Sequence, residues 1–187
     1  MTLVPALRLA AALVAFVALA SPATRAQTAP KALPTPTFDQ VQSPEYGLSY
    51  QVPTTWHQLR QSTDTTVALT YLSPDESLML FVIKMRNAAD RYTPAQALYH
   101  LTEKFNVPLN KQYSTRYHQL DFLETTGSGR IDGRELRYDA LATRHQGHLL
   151  LLYVLATPDA FLTHEPELLQ VLHSFAPYKA PRPAKAR

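Results

Sequence analysis

The stretch Leu149–Leu155 is apolar at every position, so a strand built from it has no face to give to water. It has the length of a strand and falls well short of the roughly 20 residues that a membrane-spanning helix needs. Ser77–Met85 makes the same demand. Leu78, Leu80 and Val82 point one way, and Met79, Phe81, Ile83 and Met85 point the other. Two such strands require a sheet covered on both sides. The other segments are less demanding. Tyr46, Leu48, Tyr50 and Val52 recur at every second position, which gives a strand with one buried face, ended by Pro53. A short extended piece carries Trp56 and Leu59, and Thr65–Leu72 is a strand. Ser73-Pro74-Asp75-Glu76 turns the chain into Ser77–Met85. Later strands are expected at Leu120–Ile131, Glu135–Thr143 and His148–Ala156, joined by turns at Asp132-Gly133 and Gln146-Gly147. Glu135–Thr143 alternates Leu136, Tyr138 and Ala140 with Arg137, Asp139 and Leu141, a pattern that predicts a position near an edge.

Two segments read as helical. Thr93-Pro94-Ala95-Gln96 combines a capping box with proline at the first helical position, and Leu98, Leu101 and Phe105 follow on one face. The closing helix has Thr157 as its cap and Pro158 at its start, with Pro166 marking a kink or a second helix start. Leu168, Leu169, Leu172 and Phe175 supply its apolar stripe. Short turns make neighbouring strands antiparallel, so the class is α+β: a twisted antiparallel sheet of about six strands with a helix on each face.

The flanks of this domain differ from it. Residues 1–26 read as a cleaved secretory signal. Arg8 is followed by an apolar run from Leu9 to Ala20, and cleavage is expected after Ala20 or Ala26. Residues 27–44 read as a Pro/Ala/Thr-rich linker, 45–177 as one domain, and 178–187 as a basic, proline-rich flexible tail. The chain has no cysteine, which removes disulfides, thiolate metal sites and a lipoprotein anchor together. The expected location is therefore secreted or periplasmic, soluble and not lipid-anchored, with no stable membrane span after signal cleavage. From Gln27 to Pro177 there are 12 basic and 15 acidic residues, so the net charge of +3 comes from the flanks and argues against nucleic acid as a partner.

Tyr46-Gly47-Leu48-Ser49-Tyr50-Gln51-Val52-Pro53-Thr54-Thr55-Trp56 resembles the opening of PsbP-like and DcrB-like domains: a strand, a proline, then a tryptophan. Leu168-Leu169-Gln170-Val171-Leu172-His173-Ser174-Phe175 resembles their last helix, which often closes on Ser-Phe. The resemblance implies a three-layer α/β/α sandwich, also seen in a nuclear Ran-binding relative, and a role in binding or assembling other proteins without catalysis. It supplies no catalytic or ligand residue to carry over.

Few residues suggest chemistry. His145 and His148 lie at a hairpin tip and are the candidate metal ligands, or the centre of a secreted hydrolase, although zinc would need further ligands. His164-Glu165-Pro166-Glu167 begins like a zinc-protease helix, but Leu168 stands where the second histidine belongs. Gly127-Ser128-Gly129 lies in or beside a strand, lacks the surroundings of a nucleophilic serine, and is too short for a phosphate loop. Asp121, Glu124, Asp132, Glu135 and Asp139 could bring two carboxylates together across a hairpin. The interleaved Arg130, Arg134 and Arg137 favour cross-strand ion pairs instead. No cofactor is expected. The leading expectation is an exported, non-catalytic domain whose partner is another envelope protein. Metal binding or hydrolysis at His145 and His148, and small-ligand carriage between helix and sheet, are the alternatives.

Overall fold

The computed structural model describes residues 36–131 and 133–180. The segment read as a signal, the linker up to Thr35, Asp132 of one turn, and residues 181–187 of the tail lie outside them. The strands are β1 (Phe38–Ser43), β2 (Leu48–Pro53), β3 (His57–Ser62), β4 (Thr66–Leu72), β5 (Leu78–Met85), β6 (Tyr113–Tyr117), β7 (Leu120–Ile131), β8 (Arg134–His145), β9 (His148–Ala156) and β10 (Ala176–Pro177). The helices are α1 (Pro94–Lys104), α2 (Pro158–Thr163) and α3 (Glu165–Ser174), and Asn87–Arg91 forms a short 3-10 turn.

Seven strands make one antiparallel sheet in the order β3-β4-β5-β9-β8-β7-β6. The two strands that are apolar on both faces, β5 and β9, pair near its middle, with Leu80 opposite Val154 and Val82 opposite Leu152. On one face Leu80, Val82, Leu152 and Val154 pack with Leu168, Val171, Leu172 and Phe175 of α3. On the other, Leu149, Leu151, Tyr153 and Leu155 pack with Ala97, Leu98 and Leu101 of α1. Each fully buried aliphatic side chain contributes roughly 1.5–3 kcal/mol, so both covering layers are energetically necessary. The architecture is α+β, a three-layer α/β/α sandwich.

The caps read from sequence form as expected. Thr93 Oγ1 accepts the Gln96 N–H at 3.2 Å, and Gln96 Oε1 accepts the Thr93 N–H at 2.9 Å. Thr157 Oγ1 accepts the Ala160 N–H, and Pro166 marks a separate helix, because α2 ends at Thr163 and α3 starts at Glu165.

Four features differ from expectation. Phe38–Ser43, within the stretch read as linker, is strand β1 and pairs with β2 from Phe38–Pro53 to Ser43–Leu48. The β2 strand lies outside the main sheet, in a three-stranded sheet ordered β1-β2-β10. The main sheet has seven strands because Tyr113–Tyr117 forms β6. Lastly, β8 is interior, between β9 and β7. Of its polar residues, Arg137 is exposed with its guanidinium 4.5 Å over the Phe161 ring of α2, whereas Asp139 is buried.

Candidate functional site

His145 and His148 are cross-strand neighbours at the β8–β9 turn. That turn needs left-handed backbone at Gln146 (φ 51°) and Gly147 (φ 81°). The imidazoles turn to different partners. His145 Nε2 donates to the Gly47 carbonyl at 2.9 Å. His148 Nδ1 lies 3.1 Å from Asp90 Oδ2, while Asp90 Oδ1 accepts the Leu149 N–H at 2.6 Å. Partial burial opposes ionisation of Asp90, yet the Leu149 N–H and His148 hold its carboxyl below the usual carboxylate range. Arg144 Nη2 donates to the Asp90 and Tyr92 carbonyls. The pair thus ties the hairpin to the start of β2 and to the 3-10 turn. Among the described residues no group of three or more His, Cys, Asp or Glu is placed to hold a metal ion.

Five carboxylates remain to be placed. Asp132 lies outside the described residues. Asp121 pairs with Arg116, whose Nε donates to Oδ1 at 2.5 Å on the exposed side of the β6–β7 hairpin. Arg130 and Glu135 are register partners, but among the described residues neither they nor Arg134 and Arg137 form an ion pair. Glu124 and Asp139 do come together. Thr126 is opposite Asp139 and Glu124 opposite Leu141, so the two carboxylates are diagonal neighbours on the face toward α2 and α3. Glu124 is 6% exposed and Asp139 8%. No basic side chain pairs with either among the described residues. Tyr113 Oη donates to Glu124 Oε1 at 2.9 Å from β6. Burial, reinforced by the Glu124 charge and a hydrogen bond with Glu124, pushes the Asp139 carboxyl up to about 7. Asp139 thus favours its protonated form beside Glu124, which accepts the Tyr113 phenol.

A groove of about 530 Å³ lies where α3 meets the small sheet. Gln40, Ser49 and Gln51 line it from β1 and β2, Gln170, His173 and Ser174 from α3, and His118 from the β6–β7 turn. Gln170 Nε2 reaches Gln51 Oε1 at 3.4 Å, and Tyr117 packs on His173 with ring centroids 5.1 Å apart. The lining contains amide, imidazole and hydroxyl groups and no carboxylate, lysine or arginine.

The chain matches no family model and no curated protein. Among solved structures it is similar to the solution structure of cyanobacterial PsbP (CyanoP) from Synechocystis sp. PCC 6803. That similarity has a TM-score of 0.59 at 12% identity, covering 81% of this chain and 99% of that one. The fold is PsbP-like. A Bacteroides thetaiotaomicron protein is also similar, with a TM-score of 0.50 at 10% identity over 75% of this chain and 48% of that one.

The PsbP-like fold gives physical meaning to the two sequence motifs. The opening strand and the closing Ser-Phe meet in one place. Ser174 Oγ accepts the Gln51 N–H at 2.7 Å and donates to the Val171 carbonyl at 2.6 Å, so it joins the end of α3 to β2. Phe175 stacks on Tyr50 at 4.5 Å, and Tyr50 Oη lies 2.8 Å from Tyr71 Oη. The groove is built on this junction. Sequence reading held Gln51, Gln170 and Ser174 only as members of the two motifs, and it passed over Gln40 and His118. Surface glutamines carry no periodicity, and nothing local brings Gln51 to Ser174.

Proposed function

We propose that this chain is an exported, non-catalytic PsbP-like domain that works by contact with another protein of the cell envelope. The amide-lined groove between α3 and β2 carries the reading. Amide side chains offer donors and acceptors together, which matches the main chain of an extended, uncharged polypeptide segment. An open groove of this kind suits a segment of a partner better than an enclosed small molecule. The leading chemical alternatives have other work in the fold: His145 and His148 hold Gly47 and Asp90. Export rests on the reading of residues 1–26.

The test is site-specific photo-crosslinking in intact cells, with a photoreactive residue at Gln170 and, as control, at Glu103 on α1. One discrete adduct from position 170, lost when Gln51 and His173 are changed to alanine, is the expected result. Equal labelling from both positions overturns the reading. Recovery of the protein in the cytoplasmic fraction overturns its export.

A further inference from the structure

We propose that His164 is a proton-operated clamp, closed in acid, between the joint of α2 and α3 and the β4–β5 turn. The motif His164-Glu165-Pro166-Glu167 fails as a protease helix, and the fold gives its histidine another task. His164 belongs to both helices. Its N–H donates to the Ala160 carbonyl at 2.9 Å and closes α2, while its carbonyl accepts the Leu168 N–H at 2.8 Å and opens α3. Its side chain is only 14% exposed and lies against the turn.

Both ring nitrogens face a carboxylate. Nδ1 lies 3.2 Å from Glu167 Oε2 in the first turn of α3. Nε2 is buried, has no hydrogen-bond partner among the described residues, and lies 3.5 Å from Asp75 Oδ1. A neutral imidazole has one N–H and one lone pair. Whichever nitrogen then bears the proton, the other directs its lone pair at a carboxylate oxygen. Only imidazolium, with an N–H on each side, attracts both acids.

The acid on the turn is held in place. Asp75 Oδ1 accepts the Ser73 hydroxyl and the Ser77 N–H, and Oδ2 accepts the Ser77 hydroxyl at 2.7 Å. Partial burial opposes ionisation of Asp75, yet Ser73, Ser77 and the charge on His164 hold its carboxyl below the usual carboxylate range. It stays an anion wherever histidine titrates. Among the described residues, Asp75 from the turn and Glu167 from α3 reach ion-pair distance of His164, and no charged group of α2 or the strands does. No lysine or arginine pairs with either acid among the described residues. The clamp is therefore closed in acid, and its contribution is lost as pH rises through the range in which histidine titrates, roughly 6–7. Above that range one nitrogen still donates to Glu167 within α3, and the tie to the turn is lost. The clamp requires neither the groove nor export.

The test is urea unfolding at about pH 5.5 and about pH 8, with His164→Gln beside the native chain. Glutamine keeps a polar side chain that cannot become cationic. The chains share Asp90, Asp139 and the other histidines, so the titration of those groups cancels in the comparison. His164→Gln should raise the unfolding constant about tenfold at the lower pH and change it little at the higher. Glu167→Gln, at a partly exposed position, should do the same to a smaller extent and add nothing once His164 is replaced. Hydrogen exchange, corrected for its intrinsic rate, locates the change. From the lower to the higher pH the Leu168 N–H should lose more protection in the native chain than in His164→Gln. An equal effect of His164→Gln at both pH values, or none at either, overturns the proposal. So does a Glu167→Gln chain with the native pH profile, or an equal loss of Leu168 protection in the two chains.

Discussion

At the scale of single residues, the Glu124–Asp139 pair sets a pH dependence. Asp139 holds its proton more tightly folded than unfolded, at about 7 against an ordinary 3.8. That proton stabilises the fold fully at pH below the ordinary carboxylate range, and the contribution is lost as pH rises through about 7. Among the described residues the groups facing it are Glu124, Tyr113 and Tyr117, and no cation pairs with it. Asp139→Asn keeps a donor toward Glu124 and removes the titration. We expect it to stabilise the protein by about 2 kcal/mol at pH 8 and to make little difference at pH 4, read from thermal unfolding across that range. Gly47 gives a second residue-scale prediction. It has φ 66°, and a Cβ there would lie 2.5 Å from Gln146 Oε1. Gly47→Ala should cost about 1–2 kcal/mol in urea unfolding. Shortening Gln146 to alanine should recover only the steric part, because the left-handed backbone remains.

At the scale of elements, α1 is the α-helix that covers one face of the sheet among the described residues, and its start depends on the Thr93–Gln96 box. Thr93→Ala should cost about 1 kcal/mol, seen as a lower urea midpoint with an unchanged slope. The legibility of the elements followed from how local their causes are. The box, Pro94 and the turn at Ser73–Glu76 act within four residues and were readable. Strands β5 and β9 were readable because a two-sided apolar run admits few placements. β6 was not: Tyr113–Tyr117 has an aromatic residue only at each end, around Ser114, Thr115 and Arg116, and too few apolar residues to stand out. β8 was placed too near an edge because Arg137 and Asp139 alternate with apolar residues; Arg137 is exposed, over the Phe161 ring, but Asp139 is buried next to Glu124. The same limit hid the groove, which arises from contacts between segments remote in sequence and from ordinary surface residue types. A carboxylate pair across the β7–β8 hairpin was among the readings, and the strand register selects Glu124 and Asp139 as its members.

At the scale of the whole molecule, the domain begins earlier than composition suggested. Phe38 and Val41 of β1 pack on the core beneath β2. A chain beginning at Glu45 should be less stable than one beginning at Thr35 by about 3 kcal/mol, the worth of two partly buried apolar side chains and a lost strand pairing, measured by thermal unfolding. The small sheet also fixes how the domain would bear a load. Both β1 and β10 pair with β2, so the entering and leaving segments grip the same strand from its two sides. The chain enters beside Pro53 and leaves beside Leu48, at opposite ends of that strand. Tension between the two flanks would therefore run along β2 and strain its cross-strand hydrogen bonds together rather than one after another. A domain held at both ends would meet such a pull in shear, with the seven-stranded sheet outside the line of force.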